Sequence, residues 1–359
     1  MFSFSRSSLR HFSSSARILG RAVVYSQNGD PSKVLRVLTY PSVPSPPPPH
    51  SVNLNFLLSP ISPADINVVE GVYPSKPAKT DALTLSGEAN PLFVGGNEGL
   101  ARVTAVGEGV HTLAVDDWVI MLKQQAGTWA TDRTVTVADV AKVPDSQFLT
   151  QAQAATITVS VNPPTAYNML ADFVDLESGD WVVQNGANSA VGQAVIQIAA
   201  ARGLKTINLI RDRCNLDALK ERLHNLGATH VLTYDQLADK SVREDIKQWT
   251  GGKPIRLGLN CVGGKDTTNM ARLLGNDAHL VSYGAMAKQP LSIPISLFIF
   301  KNLTCHGFWQ SRWYIKKPLE EREKLMQNLV TLMKEKKVRE VISHLHPLIT
   351  LLTSVAGHS

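Results

Sequence analysis

Apolar and polar positions divide the chain into two kinds of stretch. Between Arg21 and about Pro144 the pattern is one of short strands. SVNLNFLL places Val52, Leu54, Phe56 and Leu58 on one face, the two-residue period of a half-buried strand. RAVVYS, VLRVLTY, DWVIML and RTVTV read the same way between Gly, Pro and Asp turns, which predicts a small barrel or sandwich. The prolines of PSVPSPPPPH (Pro41–His50) cannot donate ladder hydrogen bonds, so this run is expected to be a stiff, polyproline-like connection.

From about Ala155 to Phe308 strands alternate with helices. DWVVQ, KTINLI, HVL, RLGLNCV, HLVSYG and LTCHGF are the strand candidates. AVGQAVIQIAAARG, NLDALKERLHNLG and KDTTNMARLLG are helix candidates between them, with Gly203, Gly227 and Gly275 expected as helix stops. Six strands with intervening helices predict a parallel, doubly wound sheet. LEEREKLMQNLVTLMKEKK, after Pro318, is a charged amphipathic helix, followed by a short apolar tail.

Composition narrows the class. A chain of 359 residues with 43% hydrophobic and 18% charged positions is globular and long enough for two domains. No stretch approaches the apolar length of a membrane-spanning helix. Three widely spaced cysteines (Cys214, Cys261, Cys305) provide neither a four-cysteine zinc site nor a disulfide framework. Arg6, Arg10 and Arg17 supply half of the formal net charge of +6, so the rest is only mildly basic and carries no nucleic-acid footprint. Those arginines sit in MFSFSRSSLRHFSSSARILG, which is Ser-rich and free of acids. Residues 1–20 therefore read as a mitochondrial transit peptide, with a plain disordered tail as the alternative.

The segment QNGANSAVG runs from a strand into a helix, where a doubly wound sheet binds a pyrophosphate. Aligned on Gly192, the three glycine positions of the usual fingerprint are Ala187, Ser189 and Gly192, so only the last is kept. An ordinary strand-to-helix turn is the competing reading; the position after the first strand of a six-strand block favours the dinucleotide. The second strand ends in IRDR. Arg211 and Arg213 around Asp212 suit a 2′-phosphate, favouring NADPH, whereas an inward Asp212 with solvated arginines is the alternative.

GGNEGLARVTAVGEGVHTLAVDDWV (Gly95–Val119) resembles the corresponding stretch of medium-chain dehydrogenase/reductases. In the zinc alcohol dehydrogenases among them a histidine ligates the metal. Asn97 holds that place here, and no cysteine precedes Cys214, so no metal is expected. ISPADINVVEGVYP, GGNEG, GTW, VNPPTAY, QNGANSAVGQAVIQIA, IRDR, YGAM and GFW occur in this order. Together they are similar to the mitochondrial trans-2-enoyl-thioester reductases, from about Arg21 to about Glu340.

The resemblance implies an α/β architecture: a GroES-like β-rich catalytic domain (21–156), a Rossmann doubly wound parallel-sheet domain (157–314) and a C-terminal return (315–359). It also implies a homodimer in the mitochondrial matrix that uses NADPH to reduce enoyl-CoA or enoyl-acyl-carrier-protein. It makes Tyr73 the catalytic group and Asn162 a nicotinamide-side contact. Asn188, Ser189, Ala190, Val191 and Gly192 would meet the phosphates. Tyr283, Gly284, Ala285 and Met286, with Phe308, Trp309 and Gln310, would lie beside the nicotinamide. A phenol near pKa 10 stays protonated at neutral pH and can donate to an enolate. Arg312, Lys316 and Lys317 would meet CoA phosphates or an acidic carrier protein, or form a solvated charge run.

The tail departs from the resemblance. It ends HLHPLITLLTSVAGHS, with no lysine after Lys337 to match the family's cofactor-contacting one. An exposed apolar edge, with low soluble yield or weak turnover, is the expectation. A zinc-free quinone or enone reductase, or a non-catalytic NADPH-binding protein, are the alternative functions.

Overall fold

The computed structural model describes residues 19–80, 91–155, 161–239 and 241–340. Eight strands come first: β1 (Leu19–Tyr25), β2 (Arg36–Pro41), β3 (Ser51–Leu58), β4 (Phe93–Val94), β5 (Leu100–Val106), β6 (Trp118–Met121), β7 (Asp132–Thr136) and β8 (Val140–Lys142). They form a three-stranded sheet, β2-β1-β4, and a five-stranded antiparallel sheet, β7-β3-β5-β6-β8. All five strand candidates of this part are present; β4, β5 and β8 are additional. The second strand starts later than VLRVLTY predicts, because Asp30 accepts the Ser32 N–H and caps a helical turn at Pro31–Val34. The structural strand β1 already includes Leu19 and Gly20, whereas residues 1–18 of the transit-peptide reading lie outside the described residues.

In β3 the predicted face is buried at Val52 and Leu54 and half-buried at Phe56 and Leu58. The opposite face is covered at its start too. Asn53 is buried, donating to the Pro44 carbonyl at 2.7 Å and accepting from Thr134 at 2.7 Å. The proline run thus reaches the strand, and Pro44 supplies the carbonyl that the buried amide requires.

The second part contains all six predicted strands: β9 (Trp181–Asn185), β10 (Lys205–Ile210), β11 (His230–Thr233), β12 (Ile255–Asn260), β13 (Leu274–Ser282) and β14 (Thr304–Gly307). Every pairing is parallel, in the order β11-β10-β9-β12-β13-β14. The order reverses beside β9, so the crevice at its carboxyl end is where a ligand enters such a sheet. Gly203 (φ +71°) and Gly227 (φ +105°) stop helices as predicted. Gly275 does not. It lies inside β13, and a Cβ there would meet Pro254, so its role is close approach between neighbouring backbone segments.

One core cluster joins both parts. Leu100, Ile120 and Val143 pack with Val195 and Ile198 of the helix Ala190–Ala201 and with Leu325 and Leu329 of the helix Leu319–Lys334. Each such fully buried side chain is worth about 1.5–3 kcal/mol, enough to hold the lobes in register across the crevice. No helix among the described residues is long and apolar enough to cross a membrane. The tail reading concerns residues 341–359, outside the described residues.

Candidate active site

The turn after β9 follows from local chemistry. After β9 the chain reverses at Gly186 (φ +62°), and Ser189 caps the helix Ala190–Ala201 by accepting the Gly192 N–H at 3.1 Å. The left-handed glycine thus stands one place before the expected position, Ala187. Gly192 itself cannot be larger, since a Cβ would fall 2.6 Å from the Ala187 Cα and carbonyl oxygen. Asn188, Ser189, Ala190, Val191 and Gly192 therefore form one compact turn at a helix start, where first-turn N–H groups face an anion.

Arg211, Asp212 and Arg213 follow β10 and are all exposed. Asp212 Oδ1 accepts the Arg213 N–H at 2.8 Å. Neither guanidinium is in an ion pair among the described residues, so both remain available to a phosphate. Tyr234, just past β11, was not anticipated. Its hydroxyl accepts the Gly186 N–H at 3.0 Å, and burial pushes its pKa up to about 12. Its position at the carboxyl end of a parallel strand, the edge of the sheet on which ligands bind, was the available signal.

Beneath the turn lies a buried amide network. Asn185 Nδ2 donates to Asn260 Oδ1 at 2.9 Å and to Thr267 at 3.0 Å, and Asn260 Oδ1 also accepts from the Val262 and Gly263 N–H groups. These bonds tie the loops after β9 and β12 together. Tyr283 and Gly284 follow β13 half-buried, with Ala285 and Met286 exposed beyond them. Burial raises the Tyr283 phenol well above its ordinary value.

The other wall comes from the β-rich part. The helix Pro63–Glu70 opens with a capping box between Ser62 and Asp65 and closes at Gly71 (φ +84°). That turn delivers Tyr73, which is held by its N–H to the Asn67 carbonyl. Trp309, two residues past β14, donates its indole N–H to the Tyr73 hydroxyl at 3.2 Å, across 236 positions of sequence. Burial raises the Tyr73 pKa, the Trp309 bond opposes this, and Glu98 and Asp65 add to the rise. Phe308 packs edge-on to Phe173, and the buried Gln310 accepts from Asn168 at 3.1 Å. Asp172, Phe173, Phe308, Trp309, Arg312 and Lys316 line a cavity of about 180 Å³ beside Trp309.

Asn162 is the first residue of the helix Asn162–Ala171. Asn97 belongs to the loop before β5. Its N–H donates to Asp65 and its Oδ1 accepts the Gln125 N–H at 2.6 Å. No group of three or more His, Cys, Asp or Glu that could hold a metal occurs among the described residues. Glu98, next in sequence, was quoted in a motif but given no role. Burial is the first cause that raises its carboxyl to about 8, with Asp65 adding to it.

Residues 190–331 match the family described as zinc-binding dehydrogenase, a stretch that begins after the loop containing Asn97. The mitochondrial enoyl-acyl-carrier-protein reductase of Yarrowia lipolytica is 47% identical over 319 residues, which are 89% of this chain and 81% of that one. Among solved structures, the mitochondrial 2-enoyl thioester reductase Etr1p/Etr2p heterodimer from Candida tropicalis superposes with a TM-score of 0.87. It is 40% identical, covering 94% of this chain and 96% of that one. An Etr1p/NADP/crotonyl-CoA complex also superposes with a TM-score of 0.87, at 40% identity, over 95% of this chain and 97% of that one. With the parallel six-stranded sheet, the β-rich lobe and the Tyr73–Trp309 pair between them, this similarity places the chain in the family of mitochondrial enoyl-acyl-carrier-protein reductases.

Proposed function

We propose that this protein reduces trans-2-enoyl thioesters to saturated acyl thioesters with NADPH, in mitochondrial fatty acid synthesis. The observation that carries the reading is the Tyr73–Trp309 hydrogen bond at the mouth between the two lobes. The indole donates to the phenol oxygen, which leaves the single phenolic proton to point elsewhere. Burial raises the Tyr73 pKa, so the group is an acid at neutral pH.

The residues present fit the cofactor. Gly192 keeps the turn open to a close-lying pyrophosphate, and Arg211 and Arg213 offer two forks to a 2′-phosphate. NADPH supplies, when bound, the hydride that adds to the β-carbon of the conjugated thioester. Negative charge then develops on the thioester oxygen, and Tyr73 is the group that donates towards the enolate and supplies the proton. The apolar walls, Phe308 and Trp309, keep water from that site and strengthen the hydrogen bond. Arg312 and Lys316, on the cavity rim, suit the phosphates of CoA or of a carrier-protein arm.

The assembly we infer is a homodimer in the mitochondrial matrix, with the cofactor domain at 157–314 between a catalytic domain at 21–156 and its C-terminal return. Support for a second copy comes from β14, an exposed edge strand. Beside it Ile295, Ile299 and Phe300 of one short helix are all strongly exposed, an apolar patch suited to burial.

The test is NADPH oxidation with a short trans-2-enoyl-CoA, run beside Tyr73→Phe. The parent turns over, and the variant loses about 100-fold or more in kcat while binding NADPH as before. No turnover by the parent overturns the reading; an equally fast Tyr73→Phe removes Tyr73 as the acid.

A further inference from the structure

The loop Gly95–Gly99 is held rigidly on the catalytic side of the crevice. The Asn97 N–H donates to Asp65 at 3.0 Å, the Asn97 amide oxygen takes the Gln125 N–H, and the Thr128 hydroxyl donates to the Glu98 carbonyl at 2.6 Å. Asp65 is itself fixed, because it also accepts from the backbone and hydroxyl of Ser62 at 2.8 Å each. From this braced backbone the Glu98 side chain reaches across 63 positions of sequence. Its Oε2 accepts the Val161 N–H at 3.0 Å.

Val161 is the residue before the helix Asn162–Ala171, and its side chain makes no capping bond of its own. The two prolines at the start of that helix, Pro163 and Pro164, have no N–H to offer. Val161 therefore presents a backbone donor, immediately before Asn162, that is anchored to a catalytic-side carboxyl. The Asn97 amide N–H donates to the other carboxyl oxygen at 3.5 Å, a longer bond than the 3.0 Å one from Val161.

We propose that Glu98 is a positioning residue for hydride transfer, clamping the Val161–Asn162 turn to the lobe that holds Tyr73. This rests on the reading above, in which Asn162 faces the nicotinamide and Tyr73 the substrate. Asp65, Tyr73 and Tyr314 are the titratable groups around Glu98, and none of them carries a positive charge. Burial, with Asp65 nearby, keeps the carboxyl neutral at neutral pH, so the clamp adds no negative charge where the enolate forms.

The clamp acts on geometry between two lobes, so its loss misaligns reacting atoms without removing a cofactor contact. A misplacement of about 1 Å costs on the order of 100-fold in rate. Glu98→Ala is therefore expected to lower kcat by about 10- to 100-fold. Its NADPH Kd, set at the phosphate turn and at Arg211, should change less than about twofold. Glu98→Gln retains an oxygen able to accept the Val161 N–H and should restore kcat to within about threefold.

Val161→Pro deletes the donor, and the Val161 φ of −50° is compatible with proline. It should resemble Glu98→Ala, and the double variant should be no slower than either single one, as expected for two halves of one contact. An unchanged kcat in Glu98→Ala, a Glu98→Gln as slow as Glu98→Ala, or additive losses in the double variant would each overturn the clamp. Should Glu98→Ala fold poorly, Glu98→Gln with Val161→Pro decides: a fast first and a slow second support the clamp, and any other pairing overturns it. A parent without enoyl-thioester reduction would sink the functional reading itself, whereas an active parent with an indifferent clamp sinks only this inference.

Discussion

The turn proposed for the phosphates and the crevice proposed for the reaction are built in opposite ways. The turn is local: β9, Gly186, Ser189 and Gly192 lie within a dozen consecutive residues, and each does its work through backbone geometry. The crevice is composite. Tyr73, Glu98, Val161 and Trp309 come from four separate segments, and two hydrogen bonds, spanning 236 and 63 positions, join them as two pairs. Damage to the turn should therefore appear as lost binding, and damage to the crevice as lost rate with binding intact.

The sharpest way to break that contrast is Gly192→Ala. Its methyl group would press on the Ala187 backbone at 2.6 Å, and neither partner is a flexible side-chain end. We expect NADPH affinity to fall by about 100-fold, as the turn must open to relieve roughly 1–3 kcal/mol of overpacking and loses its pyrophosphate fit. Fluorescence titration and a melting curve would check it; an unchanged Kd would show that the turn does not bind the cofactor. Next comes Arg211→Ala. Loss of a charge-assisted contact worth about 1.5–3 kcal/mol should weaken NADPH by about 10- to 100-fold and leave NADH untouched. Equal effects on both cofactors would return the 2′-phosphate assignment to an open question.

On the crevice side, Trp309→Phe keeps an aromatic ring but deletes the N–H that meets Tyr73. One neutral hydrogen bond is worth about 0.5–1.5 kcal/mol, so kcat should fall roughly 3- to 10-fold with NADPH Kd unchanged. A change confined to Kd would place Trp309 on the cofactor instead.

The smallest effect concerns stability. The Glu98 carboxyl is raised from its ordinary value near 4.5 to about 8. As pH climbs through 4.5 the unfolded chain ionises first and binds fewer protons than the folded one, so stability declines from there up to about pH 8. Glu98→Gln has no such proton to lose. Its Tm should match the parent's near pH 4 and exceed it by a few degrees at pH 8 to 9. Parallel Tm curves would mean that Glu98 titrates normally.

The same contrast explains what could be read from the chain. The six parallel strands, the Ser189–Gly192 turn and the IRDR segment were legible because period, caps and turn chemistry are local signals. Even there Gly186, not Ala187, carries the left-handed conformation, and Gly275 sits in a strand. Both depend on which backbones approach one another, which one-dimensional patterning does not encode. Tyr73 stood out only through a resemblance, since a lone tyrosine in a loop has no distinctive spacing. Glu98 and Tyr234 were passed over because a single Glu or Tyr in a loop reads as surface until folding shows its partner.

The amino-acid sequence by itself thus determined the two architectures and the place of the strand-to-helix turn after β9, since those follow from periodicity and from conformational limits within a few residues. Only the tertiary structure decided that a phenol, an indole and a buried carboxyl meet at one crevice. Their contacts are made by packing between lobes, where burial and distance set both hydrogen bonding and proton affinity.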